Sequence, residues 1–184
     1  MFHTKRVALI CMVACTALSS VATDYTKYVN PFIGTQTDDT GALSGSTFPG
    51  PTMPQGMVQL APETEQYVTW DLCCGYDYNR DSIFGFTHTH LSGTGCTDLI
   101  DISLMPTIKH VTPELLSKGI FALPFTHAQE SAAPGYYMVD LLGGENIRAE
   151  LSATVHAGIH KYTFPEGKEQ TVILDLDRMT WRGD

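Results

Sequence analysis

Residues 147–155, Ile-Arg-Ala-Glu-Leu-Ser-Ala-Thr-Val, alternate apolar and polar side chains without a break. Successive side chains of a strand point to opposite faces, so Ile147, Ala149, Leu151, Ala153 and Val155 belong on a buried face and Arg148, Glu150, Ser152 and Thr154 in water. Further runs of strand length occur at Met57–Ala61, Leu99–Met105, Tyr136–Leu142, Ile159–Phe164 and Thr171–Leu176. Gly143-Gly144 and Ala157-Gly158 separate neighbouring runs at hairpin distances. Helical periodicity is confined to Pro113–Lys118, where Thr112 can cap one or two turns. The stretch from Tyr25 to Gly56 is punctuated by Gly and Pro and reads as loop and turn with short edge strands. These features predict an all-β chain, an antiparallel β-sandwich in which two half-buried sheets cover each other.

The N-terminus is of a different texture. Lys5 and Arg6 precede the apolar run Val7–Ala17, and Ser20-Val21-Ala22 places small residues before a cleavage point, so residues 1–22 read as a secretory signal peptide and 23–184 as the folded sandwich. Export to the periplasm or medium is expected, with lipid attachment at Cys15, after Val13-Ala14, as an alternative form of processing. The formal charge of −9 repels a phosphate backbone, which argues against nucleic-acid binding, and loss of Lys5 and Arg6 makes the remaining chain more acidic still. No apolar run reaches the length of a transmembrane span. Of the five cysteines, Cys73, Cys74 and Cys96 follow the signal. An odd number is no disulfide framework; Cys73 or Cys74 pairs with Cys96, or all three are small buried thiols.

Chemistry concentrates between Trp70 and Asp101, WDLCCGYDYNRDSIFGFTHTHLSGTGCTDLID. His88 and His90 stand two apart, which on an extended strand directs both imidazoles to one face, as metal ligands or as hydrogen-bonding groups at a strand end. A cupin-like metal motif would need a Glu where Ser92, Gly93 and Thr94 stand. The Gly93-Thr94-Gly95 turn lacks the Lys and the glycine spacing of a phosphate loop. Trp70, Tyr76 and Tyr78 beside Asp71, Asp77 and Asp81 have the composition of a sugar site, in which aromatic faces cover C–H groups and carboxylates accept from hydroxyls; a core aromatic cluster with solvated acids has the same composition.

Seven blocks occur in a consistent order: VNPFIGT at Val29–Thr35, TFPGPTMPQGMVQLAPET at Thr47–Thr64, GFTHTHLSGTGC at Gly85–Cys96, DISLMP at Asp101–Pro106, APGYYMV at Ala133–Val139, AELSAT at Ala149–Thr154 and GIHKYTFP at Gly158–Pro165. In these the chain resembles the N-terminal domain of glycoside hydrolase family 92, the calcium-dependent inverting α-mannosidases. The resemblance implies an N-terminal β-sandwich that packs against a larger C-terminal (α/α)6 barrel, with the active site at their junction. It implies hydrolysis of α-linked mannose in glycans such as N-glycans, by water attack between two carboxyl groups roughly 6.5–9.5 Å apart. The catalytic carboxylates and the calcium ligands come mainly from the helical half. The resemblance therefore assigns this chain no catalytic residue and no metal ligand of its own, and a fragment inactive by itself.

The expected role is one wall of the mannose pocket. Trp70, Asp71, His88, His90, Gly95, Cys96 and Asp98 are the candidate substrate-binding residues, because they combine polar groups with glycine turns at strand ends. The alternative is a freestanding sandwich that binds carbohydrate or protein without catalysis.

Overall fold

The computed structural model describes residues 23–37, 45–66, 72, 74–91, 99–117 and 121–176. Residues 1–22, the expected signal peptide with Cys11 and Cys15, and the later cysteines Cys73 and Cys96 lie outside the described residues. Within them the strands are β1 (Ala61–Glu63), β2 (Ser82–Ile83), β3 (Gly85–Thr87), β4 (Ser103–Thr107), β5 (Leu123–Pro124), β6 (Glu130–Ala133), β7 (Tyr136–Leu141), β8 (Ile147–Ala153), β9 (Gly158–Thr163) and β10 (Thr171–Asp175). A short helix, α1 (Pro113–Ser117), and two 3-10 turns at Thr26–Tyr28 and His127–Gln129 complete the elements.

The strands form a sheet in the order β1-β3-β4-β10, a second in the order β6-β7-β8-β9, and a small β2-β5 pair, all antiparallel. This is the antiparallel β-sandwich expected from the period-two pattern. In β8 the apolar set Ile147, Ala149, Leu151 and Ala153 is buried and Arg148 and Ser152 are exposed, whereas Val155, expected on the buried face, lies past the end of the strand and is exposed. Its partner β7 obeys the same rule, and the register sets Tyr137 opposite Leu151, Val139 opposite Ala149 and Leu141 opposite Ile147. These six side chains meet Leu60, Phe86 and Met105 from the other layer in one core. Each large side chain taken out of water there contributes roughly 1.5–3 kcal/mol.

The turns behave as read. Gly143 and Gly144 join β7 to β8 at φ of 72° and 85°, a left-handed conformation that costs glycine little. At α1 the Thr112 hydroxyl accepts from the Leu115 N–H at 3.2 Å, the cap expected of it.

Two runs are displaced from their expected positions. Leu99–Met105 enters the sheet only at Ser103, because Leu99, Ile100 and Ile102 have φ of 71°, 62° and 58°, outside strand geometry. Met57–Leu60 pairs irregularly, through Met57 N–H to the Val155 carbonyl and Gln59 N–H to the His88 carbonyl, and the ladder starts at Ala61. The short strands β2, β3, β5 and β6 carry too few residues for a periodic signal. Among the described residues no helix is long and apolar enough to cross a membrane.

Candidate functional site

The end of β3 is where the sandwich gathers its imidazoles, and here the sequence reading needs correction. His88 and His90 do not share a face. The chain bends at His88 immediately after β3, so the two rings diverge to different partners. His90 is buried: its Nδ1 donates to the Gln59 carbonyl at 2.6 Å, and its Nε2 lies 2.8 Å from Glu63 Oε1 and 3.0 Å from Thr87 Oγ1. Thr87 also donates to Glu63 Oε1 at 2.5 Å, and Phe48 lies over the imidazole with ring centroids 4.5 Å apart. Glu63 is fully buried, and its Oε2 has no hydrogen-bond partner among the described residues. Gly75, at φ 77°, faces that oxygen so closely that a Cβ would overlap the carboxylate. The cluster pins β1 to β3 and fixes where the chain leaves the sheet.

His88 turns the other way, toward the second layer. Its Nδ1 donates to the Ile102 carbonyl at 2.8 Å, and its Nε2 lies 3.1 Å from Nε2 of His160 on β9. His160 Nδ1 in turn meets the Tyr162 hydroxyl at 2.9 Å. Burial, and next the neighbouring His88, push the His160 pKa from 6.5 down to about 4. Burial also raises the Tyr162 phenol well above its usual range. His160 and Tyr162 escaped the reading of single motifs; their i, i+2 spacing on one strand was the available signal.

Of the other candidates, Trp70, Asp71, Gly95, Cys96 and Asp98 lie outside the described residues. The described ends of the segment that carries the last three are nonetheless fixed: His90 and Leu99 form an antiparallel bridge, and Ile100 N–H donates to the Thr89 carbonyl at 2.8 Å. Three neighbouring non-glycine residues in the left-handed region at Leu99, Ile100 and Ile102 are a costly backbone path, of a kind that clusters at functional sites.

The aromatic–acid composition resolves in part toward structure. Tyr76 and Tyr137 are buried, and both hydroxyls donate to Glu130, at 2.9 and 2.6 Å on Oε1; His127 Nδ1 donates to Oε2 at 2.7 Å. Burial and the adjacent Glu130 charge raise both phenols far above their ordinary pKa. Asp77 is buried as well, accepting from the Thr37 hydroxyl at 2.9 Å and the Asn79 N–H at 3.0 Å. Cys74 is buried, with its thiol on the Thr47 carbonyl at 3.1 Å. Tyr78 is only partly buried and stacks on His127 with centroids 3.8 Å apart.

Fold and motif order together define a β-sandwich domain of a glycosidase. The chain belongs to glycosyl hydrolase family 92: residues 28–183 match that family's N-terminal domain. A family GH92 α-mannosidase from Bacteroides thetaiotaomicron, solved in complex with mannoimidazole, is 33% identical and superposes with a TM-score of 0.71 over 85% of this chain. A family GH92 inverting mannosidase from the same species is 28% identical with a TM-score of 0.66, again over 85% of the chain. An uncharacterised secreted glycosidase of Arthroderma benhamiae is 28% identical over 163 residues, 83% of the chain. The chain covers 20% of the length of each of these relatives.

Proposed function

We propose that this chain is the N-terminal wall of the sugar site in an exported, inverting α-mannosidase that removes α-linked mannose from glycans such as N-glycans. The observation that carries this reading is the match across residues 28–183 together with 33% identity to an α-mannosidase that holds mannoimidazole. The secreted relative supports export. The bridge between His90 and Leu99 supports this reading, since it brings together the described residues that flank the segment bearing Gly95, Cys96 and Asp98.

Hydrolysis itself needs an acid, a base and, in the complete enzyme, calcium to hold sugar hydroxyls. Calcium favours several oxygen ligands, and among the described residues no three His, Cys, Asp or Glu side chains gather into a cation site. Asp77 is already engaged by Thr37 and Asn79. The described residues therefore do not fit calcium. The acid, the base and the calcium ligands are proposed for a C-terminal (α/α)6 domain, which this sandwich would abut. The outward side of β10 and the residue just past it support such a neighbour, because Val172 and Leu174 on the strand and Leu176 beyond it are 44%, 54% and 73% exposed.

The test is an assay of the chain on α-linked mannobiose with calcium, alone and fused to the helical domain of a GH92 relative. Mannose release, with inverted anomer by NMR, is expected from the fusion and not from the chain alone. A fusion that folds and never releases mannose would overturn the reading.

A further inference from the structure

The pairing of His88 with His160 is more than a contact between layers. The Ile102 carbonyl can only accept, so His88 carries its proton on Nδ1 and, when neutral, presents a bare Nε2. The proton in the 3.1 Å gap must then sit on His160 Nε2, leaving His160 Nδ1 to accept from the Tyr162 hydroxyl. The ring centroids are 4.7 Å apart and the planes are inclined by 31°. That separation is shorter than a straight N–H···N bond between two imidazoles would set, so the rings meet at a bent angle with their Nε2 atoms 3.1 Å apart.

We propose that His88 and His160 form a two-histidine site for a late first-row transition-metal dication, of which Zn2+ is the representative, with solvent completing the coordination. With metal–nitrogen bonds of about 2.0–2.1 Å, two nitrogens on a tetrahedral ion stand about 3.3 Å apart. The observed 3.1 Å is within reach of a small rotation about either side-chain torsion. Metal-binding histidines characteristically anchor their second nitrogen to a carbonyl or another polar group, and both rings do so here, through Ile102 and Tyr162. Phe86, T-shaped against His160 with centroids 6.5 Å apart, gives the site an apolar floor, while His88 stays partly open to solvent.

The proton inventory closes without loss. The metal takes the place of the hydrogen between the two Nε2 atoms; that hydrogen transfers to His160 Nδ1, and the Tyr162 hydroxyl rotates from donor to acceptor. The site differs in ligand chemistry from an oxygen-rich calcium site, and nothing in it depends on mannosidase activity.

Calorimetric titration of the full chain with ZnCl2 at pH 7 tests this. One saturable site is expected, weakened at least tenfold by His88→Gln and by His160→Gln and unchanged by His110→Gln, which alters an exposed imidazole. Tyr162→Phe removes the partner of His160 Nδ1 and is expected to weaken binding by about tenfold. Absence of saturable binding, or an affinity in His88→Gln or His160→Gln equal to that of the unaltered chain, overturns the site. If those variants fail to fold, imidazole nitrogen NMR of the unaltered chain decides. Zn2+ must shift His88 and His160 Nε2 together, and their failure to move refutes the proposal.

Discussion

At the scale of single residues, His160 ties acidity to stability. Its folded pKa of about 4 lies below the ordinary 6.5, so between those values the unfolded chain binds a proton there that the folded chain refuses. Stability contributed by the neutral ring is therefore complete above pH 6.5 and is lost progressively as pH falls toward 4. Asp140 acts lower: Arg148, which bonds it at 2.7 and 2.9 Å, holds its carboxyl below 3.8, so its contribution disappears only below that pH. Urea midpoints measured at pH 7, 5.5 and 4.5 should fall in that order, and His160→Gln should flatten the series. The Glu63 cluster is less forgiving. Glu63→Ala breaks a fully buried contact between a carboxylate and His90 Nε2 and removes the acceptor of the Thr87 hydroxyl, and should cost about 3–5 kcal/mol by urea unfolding. Gly75→Ala combines a left-handed φ with overlap on the Glu63 carboxylate and should cost about 1–3 kcal/mol in the same measurement.

Among the elements, β8 is the clearest case of a pattern becoming a structure. Leu151 faces Tyr137 and His160 across the two neighbouring ladders and is almost fully buried. Leu151→Ala should destabilise by about 2–5 kcal/mol, whereas Ile159→Thr, on the outward face of β9, should stay within about 0.5 kcal/mol; chemical denaturation separates the two. The strand's buried face was legible because strict alternation leaves only one way to orient it. The segment 99–102 shows the opposite. Leu-Ile-Asp-Ile has strand composition, yet left-handed dihedrals at three of its four positions bend it away, and composition carries no record of φ. The His-x-His pair failed in a similar way. Two-residue spacing implies a common face only while the strand continues, and the strand stops at Thr87.

For the whole molecule, the outer surface of the first sheet is as informative as the core. Leu174 and Val172 present apolar side chains on an edge strand, a surface that invites association. In the chain alone, Leu174→Asp should leave the melting temperature nearly unchanged and reduce self-association, as sedimentation velocity would report. The same surface would be covered in an enzyme built on the proposed plan, where a charge at position 174 should instead weaken the assembly.

The sequence by itself determined the all-β class, the β7-β8-β9 meander with its buried alternate residues, and, through the order of seven motifs, membership in family 92. Each is a property of local pattern, since strand periodicity, turn glycines and motif order are all written along the chain. Only the tertiary structure decided that His90 belongs to a buried cluster with Glu63, that Tyr76 and Asp77 are structural, and that His88 meets His160. Those pairs lie 27 and 72 positions apart. Their contact depends on how two twisted sheets stack and where a strand bends, which no local pattern encodes.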